Sequence, residues 1–225
     1  CLIGMEACAS AHYWAREIEA LGHEVRLIPP QYVKPFVKTN KNDAADAEAI
    51  CEALVRPTMH FASVKSADQQ SALMLHRARE LLVRQRTMLI NALRGHCSEF
   101  GIVVSQGAVR VNELIAIIED TNDARLPSLA REALGALVAQ LHTIKTEVAD
   151  LERRLKAWHR SHETSRQLAT IPGVGVITAT ALVATIGDGS QFKSGRQLAA
   201  WLGLVSRQHS SGGKDRLGRI SKRGD

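Results

Sequence analysis

The sequence predicts an α/β region followed by an all-α region, and three patterns carry that expectation. Two short apolar runs, CLIGMEA and HEVRLIPP, bracket a helical spacing in the first thirty residues. A heptad series from Leu134 to Trp158 calls for a long helix, and a PGVG turn beyond it separates two further helical segments. With 225 residues one or two domains are possible, and 45% hydrophobic content can fill real cores.

The first run suits a buried strand, and the second, ended by Pro29 and Pro30, suits another. Between them Trp14, Ile18 and Leu21 recur at helical spacings, and Gly22 stands where a helix C-cap belongs. The alanine-rich stretch from Asp43 to about Val55 is a good helix former, stopped by Pro57. Asp43 and Asp46 are three apart and so share one face of its first turn. One reading is local: Asn42 or Asp43 caps the helix, and acids in a first turn favour the macrodipole. Glu6 supports another, because it sits late in an apolar strand, where an unpaired carboxylate is costly and needs a partner or a metal. Glu6, Asp43 and Asp46 are therefore candidate ligands for Mg²⁺, a hard ion that prefers oxygen. Two such ions can stabilise the attacking and leaving oxygens in phosphodiester chemistry.

The middle reads as extended and helical. Ser66 followed by Gln69 gives a capping-box start to a helix running to about Phe100, with Leu75, Leu82 and Leu89 seven apart. Its Arg77, Arg79, Arg84, Arg86 and Arg94 either line nucleic acid or form a solvated face. After a looser segment containing Gly101, Gly107 and Pro127, a second pattern begins. Leu134, Leu137, Leu141, Ile144, Val148, Leu151, Leu155 and Trp158 alternate steps of three and four. That series predicts a coiled-coil helix of roughly 40 Å at 1.5 Å per residue, paired with the earlier helix or with another subunit.

Pro172, Gly173 and Gly175 then form a tight turn ahead of a helix from Thr178 to Ala184. It resembles a helix-hairpin-helix element, whose glycines expose backbone N–H groups to a DNA phosphate; a plain packing turn is the alternative. From Lys193 to Asp225 eight basic residues face two acidic ones, an excess that equals the formal net charge of +6 for the whole chain. Lys214, Arg216, Arg219, Lys222 and Arg223 crowd its end, around HSSGG. Such a cluster suits a polyanion, whose counterions it would release, or is a solvated basic tail. Aromatic content of 4% argues against base-stacking platforms. Cys1, Cys8, Cys51 and Cys97 lack metal-ligand spacing and read as reduced thiols of a cytoplasmic protein. No membrane span and no signal peptide are visible. The chain opens at Cys1 within an apolar run, without an initiator Met, so a fragment or processed product is expected.

Taken together, GMEACAS, the distant NDAADA and the long segment from TIPGVGVITATALVATIGD to HSSGGKDRLGRISKRGD resemble the DEDD-type insertion-sequence transposases, the bridge-RNA-guided serine recombinase family. The resemblance spans nearly the full chain. It implies an RNase H-like (RuvC-like) domain at residues 1–65, a helical coiled-coil region at 66–163 and a small helical transposase domain at 164–225. It further implies that Glu6, Asp43 and Asp46 are metal-binding acids. The serine before a glycine in HSSGG would be the nucleophile that becomes linked to DNA; by that match it is Ser211, with Ser210 as the adjacent alternative. DNA, a guide RNA and further copies of the chain are the implied partners, and the Leu134 to Trp158 seam is expected to contribute to assembly. The family's first acid would lie upstream of Cys1, and its transposase domain continues beyond SKRGD. The expectation is thus a fragment truncated at both ends and inactive as given. Two other classes fit parts of the pattern: a RuvC-like nuclease using metal-activated water, and a noncatalytic DNA-binding or dimerising remnant.

Overall fold

In the computed structural model, which describes residues 1–38, 42–107, 110–187 and 189–220, the two apolar runs form a parallel pair. Strand β1 (Leu2–Glu6) lies beside β2 (Glu24–Ile28) in a register that sets Leu2 opposite Glu24 and Glu6 opposite Ile28. Parallel strands need a crossover, and α1 (Ala11–Ala20) supplies it. The buried face of α1 differs from the expected one: Trp14 and Leu21 are 53% and 76% exposed, while Ala11 and Ala15 are buried. The reason is distance. Alanines let the helix settle close to Val25 and Leu27 of β2, with Ile18 and Met5 closing the sides.

On the far side of β2 the Ala62 N–H donates to the Leu27 carbonyl at 2.8 Å. After β2 the chain makes a short helix α2 (Pro30–Val33) and a 3₁₀ turn (Lys34–Phe36). Helix α3 (Asp43–Leu54) follows, and Asn42 caps it: its side-chain oxygen accepts from the Ala45 N–H at 2.8 Å. Ala49 and Ala53 on α3 are fully buried with Ile28 and Val33. Full burial of Leu27 and Ile28 contributes about 1.5 to 3 kcal/mol each. Gly4 permits the approach of α3 to β1, since a Cβ there would meet Leu54 Cδ2 at 2.9 Å and Ile50 Cγ2 at 3.2 Å.

Contacts divide the chain into two units, residues 1–66 with 186–225, and residues 67–185. The first thus includes α9 (Gly195–Trp201), capped by Ser194 Oγ accepting from Gln197 N–H, and a hairpin of β3 (Ser206–Gln208) and β4 (Leu217–Ile220). This corrects the expected all-helical end. In this division residues 164–185 group with the long helices and 186–220 with the βαβ unit.

The second unit is built on two long helices, α4 (Ala67–Ser98) and α6 (Ser128–Ser161). They run antiparallel: Trp158 Nε1–H donates to Asp68 Oδ2 at one end, and Leu93 packs with Leu134, Val138 and Leu141 at the other. The seam predicted from Leu134 to Trp158 is therefore satisfied within the chain. Leu134, Leu141, Ile144, Val148 and Leu155 are buried, and Val138 takes the place expected of Leu137. At 34 residues α6 is about 51 Å long. Helix α5 (Arg110–Glu119) fills the end of the pair with Val111, Leu114, Ile115 and Ile118. Helices α7 (Glu163–Leu168) and α8 (Val176–Ile186) complete the order of this region. Among the described residues no helix is long and apolar enough to cross a membrane.

Candidate active site

Glu6 is the last residue of β1 and half-buried, at the carboxyl end of a parallel strand pair, where open α/β sheets place ligands. Asp43, exposed, and Asp46, half-buried, occupy the first turn of α3. Because Asn42 already caps this helix, neither aspartate is needed for that task. None of the three acids enters an ion pair among the described residues. They do not converge: the described residues contain no group of three His, Cys, Asp or Glu side chains able to hold a metal ion. The packing accounts for this, since the middle of β1 lies against Ile50 and Leu54, one to two turns beyond Asp46. A closed cage of protein ligands is therefore not formed. Asp43 and Asp46 share the first turn of α3, and a hard divalent ion of the Mg²⁺ kind is commonly held by one or two carboxylates and completed by substrate phosphate.

The terminal segment has a defined geometry. Ser211 and Lys214 form an isolated antiparallel bridge, and the Lys214 N–H donates to the Ser211 carbonyl at 3.1 Å. Between them Gly212 and Gly213 take φ of +58° and +74°, the signature of a type I′ turn, whose twist matches that of a hairpin. The His209 N–H donates to the Arg216 carbonyl at 2.9 Å, and Gln208 faces Leu217. This register, with strand alternation, sets His209, Ser211, Lys214 and Arg216 on one face of the ribbon, up to the register shift between Ser206 and Gln208. Gln208, Ser210, Asp215 and Leu217 take the other.

The two adjacent serines are thereby distinguished. Ser210 Oγ accepts from the Arg216 N–H at 3.1 Å and from Gln208 Nε2–H at 2.9 Å, so it is committed to the ribbon. Gln208 Nε2–H also reaches Asp215 Oδ1 at 3.4 Å. Ser211 has no side-chain hydrogen bond among the described residues; its hydroxyl stands exposed on the basic face, at the edge of the turn. Lys214, Arg216 and Arg219 are exposed as expected, while Lys222 and Arg223 lie outside the described residues. The sequence reading missed the roles of Gln208 and Asp215. Its available signal was a Gly-Gly pair flanked by short extended runs.

In the second unit, Ile171 to Val174 make a tight turn closed by Val174 N–H to Ile171 O at 3.0 Å, with Gly173 at φ +88° behind Pro172. That is the arrangement of a type II turn. Gly173 and Gly175 are exposed, and a Cβ at either would meet nothing within 4 Å, so close packing does not select glycine there. The amide groups at the start of α8 follow directly. Of the α4 arginines, Arg79 is bound to Glu152, Arg84 to Glu80, and Arg94 to the carbonyls of Ser105 and Gly107. These three bind groups of the helical unit itself; Arg77 and Arg84 are exposed, whereas Arg79, Arg86 and Arg94 are half-buried.

Comparison with known proteins covers both ends of the chain. Residues 1–101 match a transposase model, the DEDD domain of the IS110 type, and residues 165–225 match the transposase IS116/IS110/IS902 family. A Pseudomonas aeruginosa protein named "Probable family 20 transposase" is 51% identical over 226 residues, spanning 100% of this chain and 67% of its own length. The transposase for insertion sequence element IS1328 of Yersinia enterocolitica is 45% identical, over 100% of this chain and 66% of its own length. That for element IS1111A of Coxiella burnetii is 42% identical, over 98% and 61%. The chain thus spans about two thirds of the length of these relatives. With matches at this level to both family models and along the whole chain, the protein belongs to the IS110 family of insertion-sequence transposases.

Proposed function

We propose that this chain forms part of a transposase that cuts and rejoins DNA through a covalent link to Ser211, with Asp43 and Asp46, rather than all three candidate acids, offering carboxylates to Mg²⁺. The observation that carries the reading is the Ser211 hydroxyl, with no side-chain hydrogen bond among the described residues, on a face that also bears His209, Lys214 and Arg216, while Ser210 is bonded into the ribbon. In the step proposed, the Ser211 hydroxyl loses its proton and its oxygen bonds to phosphorus. The bond from phosphorus to one deoxyribose oxygen breaks, and that oxygen takes up a proton. A deoxyribose hydroxyl of the incoming strand later attacks the serine phosphodiester and restores the Ser211 hydroxyl. A bound divalent ion supplies positive charge that stabilises the reacting phosphate.

The basic side chains of the ribbon neutralise phosphates beside the reacting strand, and their clustering predicts a strong dependence on salt. The turn at Gly173 and the first amides of α8 offer a second contact to the backbone of the duplex. The first unit is read as RNase H-like, with the acids at the carboxyl edge of its strands. A guide RNA and self-assembly belong to the same proposal. The Leu134 to Trp158 seam packs against α4 within the chain, which favours assembly through another surface.

Covalent trapping tests this reading. The element-encoded protein, with guide RNA, Mg²⁺ and labelled element-end DNA, is expected to give a protein-linked band that Ser211→Ala and Asp43→Ala both lose. Cleavage that survives Ser211→Ala would instead identify a nuclease using water. Salt-sensitive binding with no linked band would identify a noncatalytic DNA-binding protein.

A further inference from the structure

The nucleophile proposed above sits on a ribbon that buries almost nothing. All residues of β3 and β4, and all those of the connecting loop, are exposed. A two-stranded ribbon without a packed face is marginal in water, so its shape depends on local devices. One is the Gly-Gly turn. The other is a set of three side chains on the face opposite Ser211. Ser210 Oγ receives the Arg216 N–H at 3.1 Å, a backbone donor that the cross-strand ladder leaves to it. Gln208 Nε2–H bridges Ser210 Oγ at 2.9 Å and Asp215 Oδ1 at 3.4 Å, joining the two strands just before the turn.

We infer that Ser210, Gln208 and Asp215 are positioning residues that hold the turn so that the Ser211 hydroxyl is presented in one orientation. This inference rests on the assignment of Ser211 as nucleophile. Its physical content is geometric: attack on phosphorus needs the oxygen in line with the leaving group, and small misplacements of a reacting atom cost large factors in rate. Ser210 acts as an acceptor for two donors and has no part in bond making. Asp215 gives Gln208 a second acceptor, fixing the orientation of the amide. The same contacts leave the basic side chains of the opposite face untouched, so DNA affinity and chemistry separate. Loss of Ser210 should lower the rate of adduct formation at saturating DNA and leave the dissociation constant unchanged.

The test uses the element-encoded protein with guide RNA, Mg²⁺ and labelled element-end DNA, in single-turnover mode. Four proteins are compared: wild type, Ser210→Ala, Ser210→Thr and Ser211→Ala. The expected result is a fall of roughly tenfold to a hundredfold in the rate for Ser210→Ala at unchanged DNA affinity. Ser210→Thr, which keeps the acceptor oxygen, should recover most of the rate. Amide hydrogen exchange supplies a reading independent of activity: the Arg216 N–H should exchange faster in Ser210→Ala and not in Ser210→Thr. A wild-type rate for Ser210→Ala, with no adduct from Ser211→Ala, overturns the positioning role and leaves the nucleophile standing. An adduct that persists in Ser211→Ala removes the nucleophile and this inference together.

Discussion

The Lys214 backbone N–H and the Ser211 carbonyl close a hydrogen bond of 3.1 Å across just two residues, both glycines with positive φ. This bond makes the basic segment, which sequence alone leaves open between a phosphate-binding cluster and a tail, into a ribbon with two distinct faces. Its consequences for Ser211 can be tested from the glycines outward.

Gly213 occupies the second central position of a type I′ turn, at φ +74°. A β-branched residue there must enter the left-handed region at a cost of about 1 to 2 kcal/mol. Gly213→Val is expected to abolish the turn and with it adduct formation, whereas Gly212→Asn should be tolerated, since Asn-Gly is a favoured pair for this turn. Protection of the Lys214 amide, measured by hydrogen exchange, should be lost in the first variant and kept in the second.

Arg79 donates to Glu152 Oε1 from Nε at 2.9 Å and from an amino group at 2.6 Å, with the two side chains only 28% and 33% exposed. Partial screening limits the pair to about 1 kcal/mol. A double-mutant cycle between Arg79→Ala and Glu152→Ala should return a coupling of that order in urea melts.

Arg131 binds the end of α5 to the start of α6, its guanidinium donating to the carbonyls of Ile117 and Ile118 and to those of Asp123 and Leu126. These oxygens include helix-terminal carbonyls that have no partner within α5. Arg131→Met should cost about 1.5 to 3 kcal/mol, because it leaves several acceptors unpaired, and urea denaturation should show the loss.

His76 lies on α4 with its Nε2 buried and without a hydrogen-bond partner among the described residues, and burial, followed by the charge of Arg79, holds its pKa below the ordinary 6.5. Above that value the ring is neutral in both folded and unfolded chains, and nothing is gained or lost. As pH falls below 6.5 the unfolded chain binds the proton first, so stability declines until the folded pKa is passed. His76→Leu should flatten this acid-side decline, as read by thermal melts between pH 7 and pH 5.

Much of this architecture was legible in the chain because its signals are local. The heptad series of α6, the Asn42 cap and the proline stops each depend on neighbours within a turn or two. The α1 face was misread because Trp14, Ile18 and Leu21 show the right period, yet the face that meets β2 is chosen by how close the backbone must come. Ala11 and Ala15 win that choice. The ribbon was missed for a different reason: basic residues and glycines suggest a solvated loop, and the alternation that separates Ser211 from Ser210 appears only when the register is known. Glu6 was placed correctly at a strand end, but its distance from Asp43 and Asp46 depends on how α3 sits on β1, which sequence spacing does not encode.

The most direct test of the account is the location of the covalent link. The trapped complex would be digested with nuclease and protease, and the peptide carrying a nucleotide remnant sequenced by mass spectrometry. The remnant is expected on Ser211. A remnant on Ser210 would contradict it, because that hydroxyl is the one bonded to Arg216 and Gln208. A remnant on neither serine would remove the serine mechanism itself.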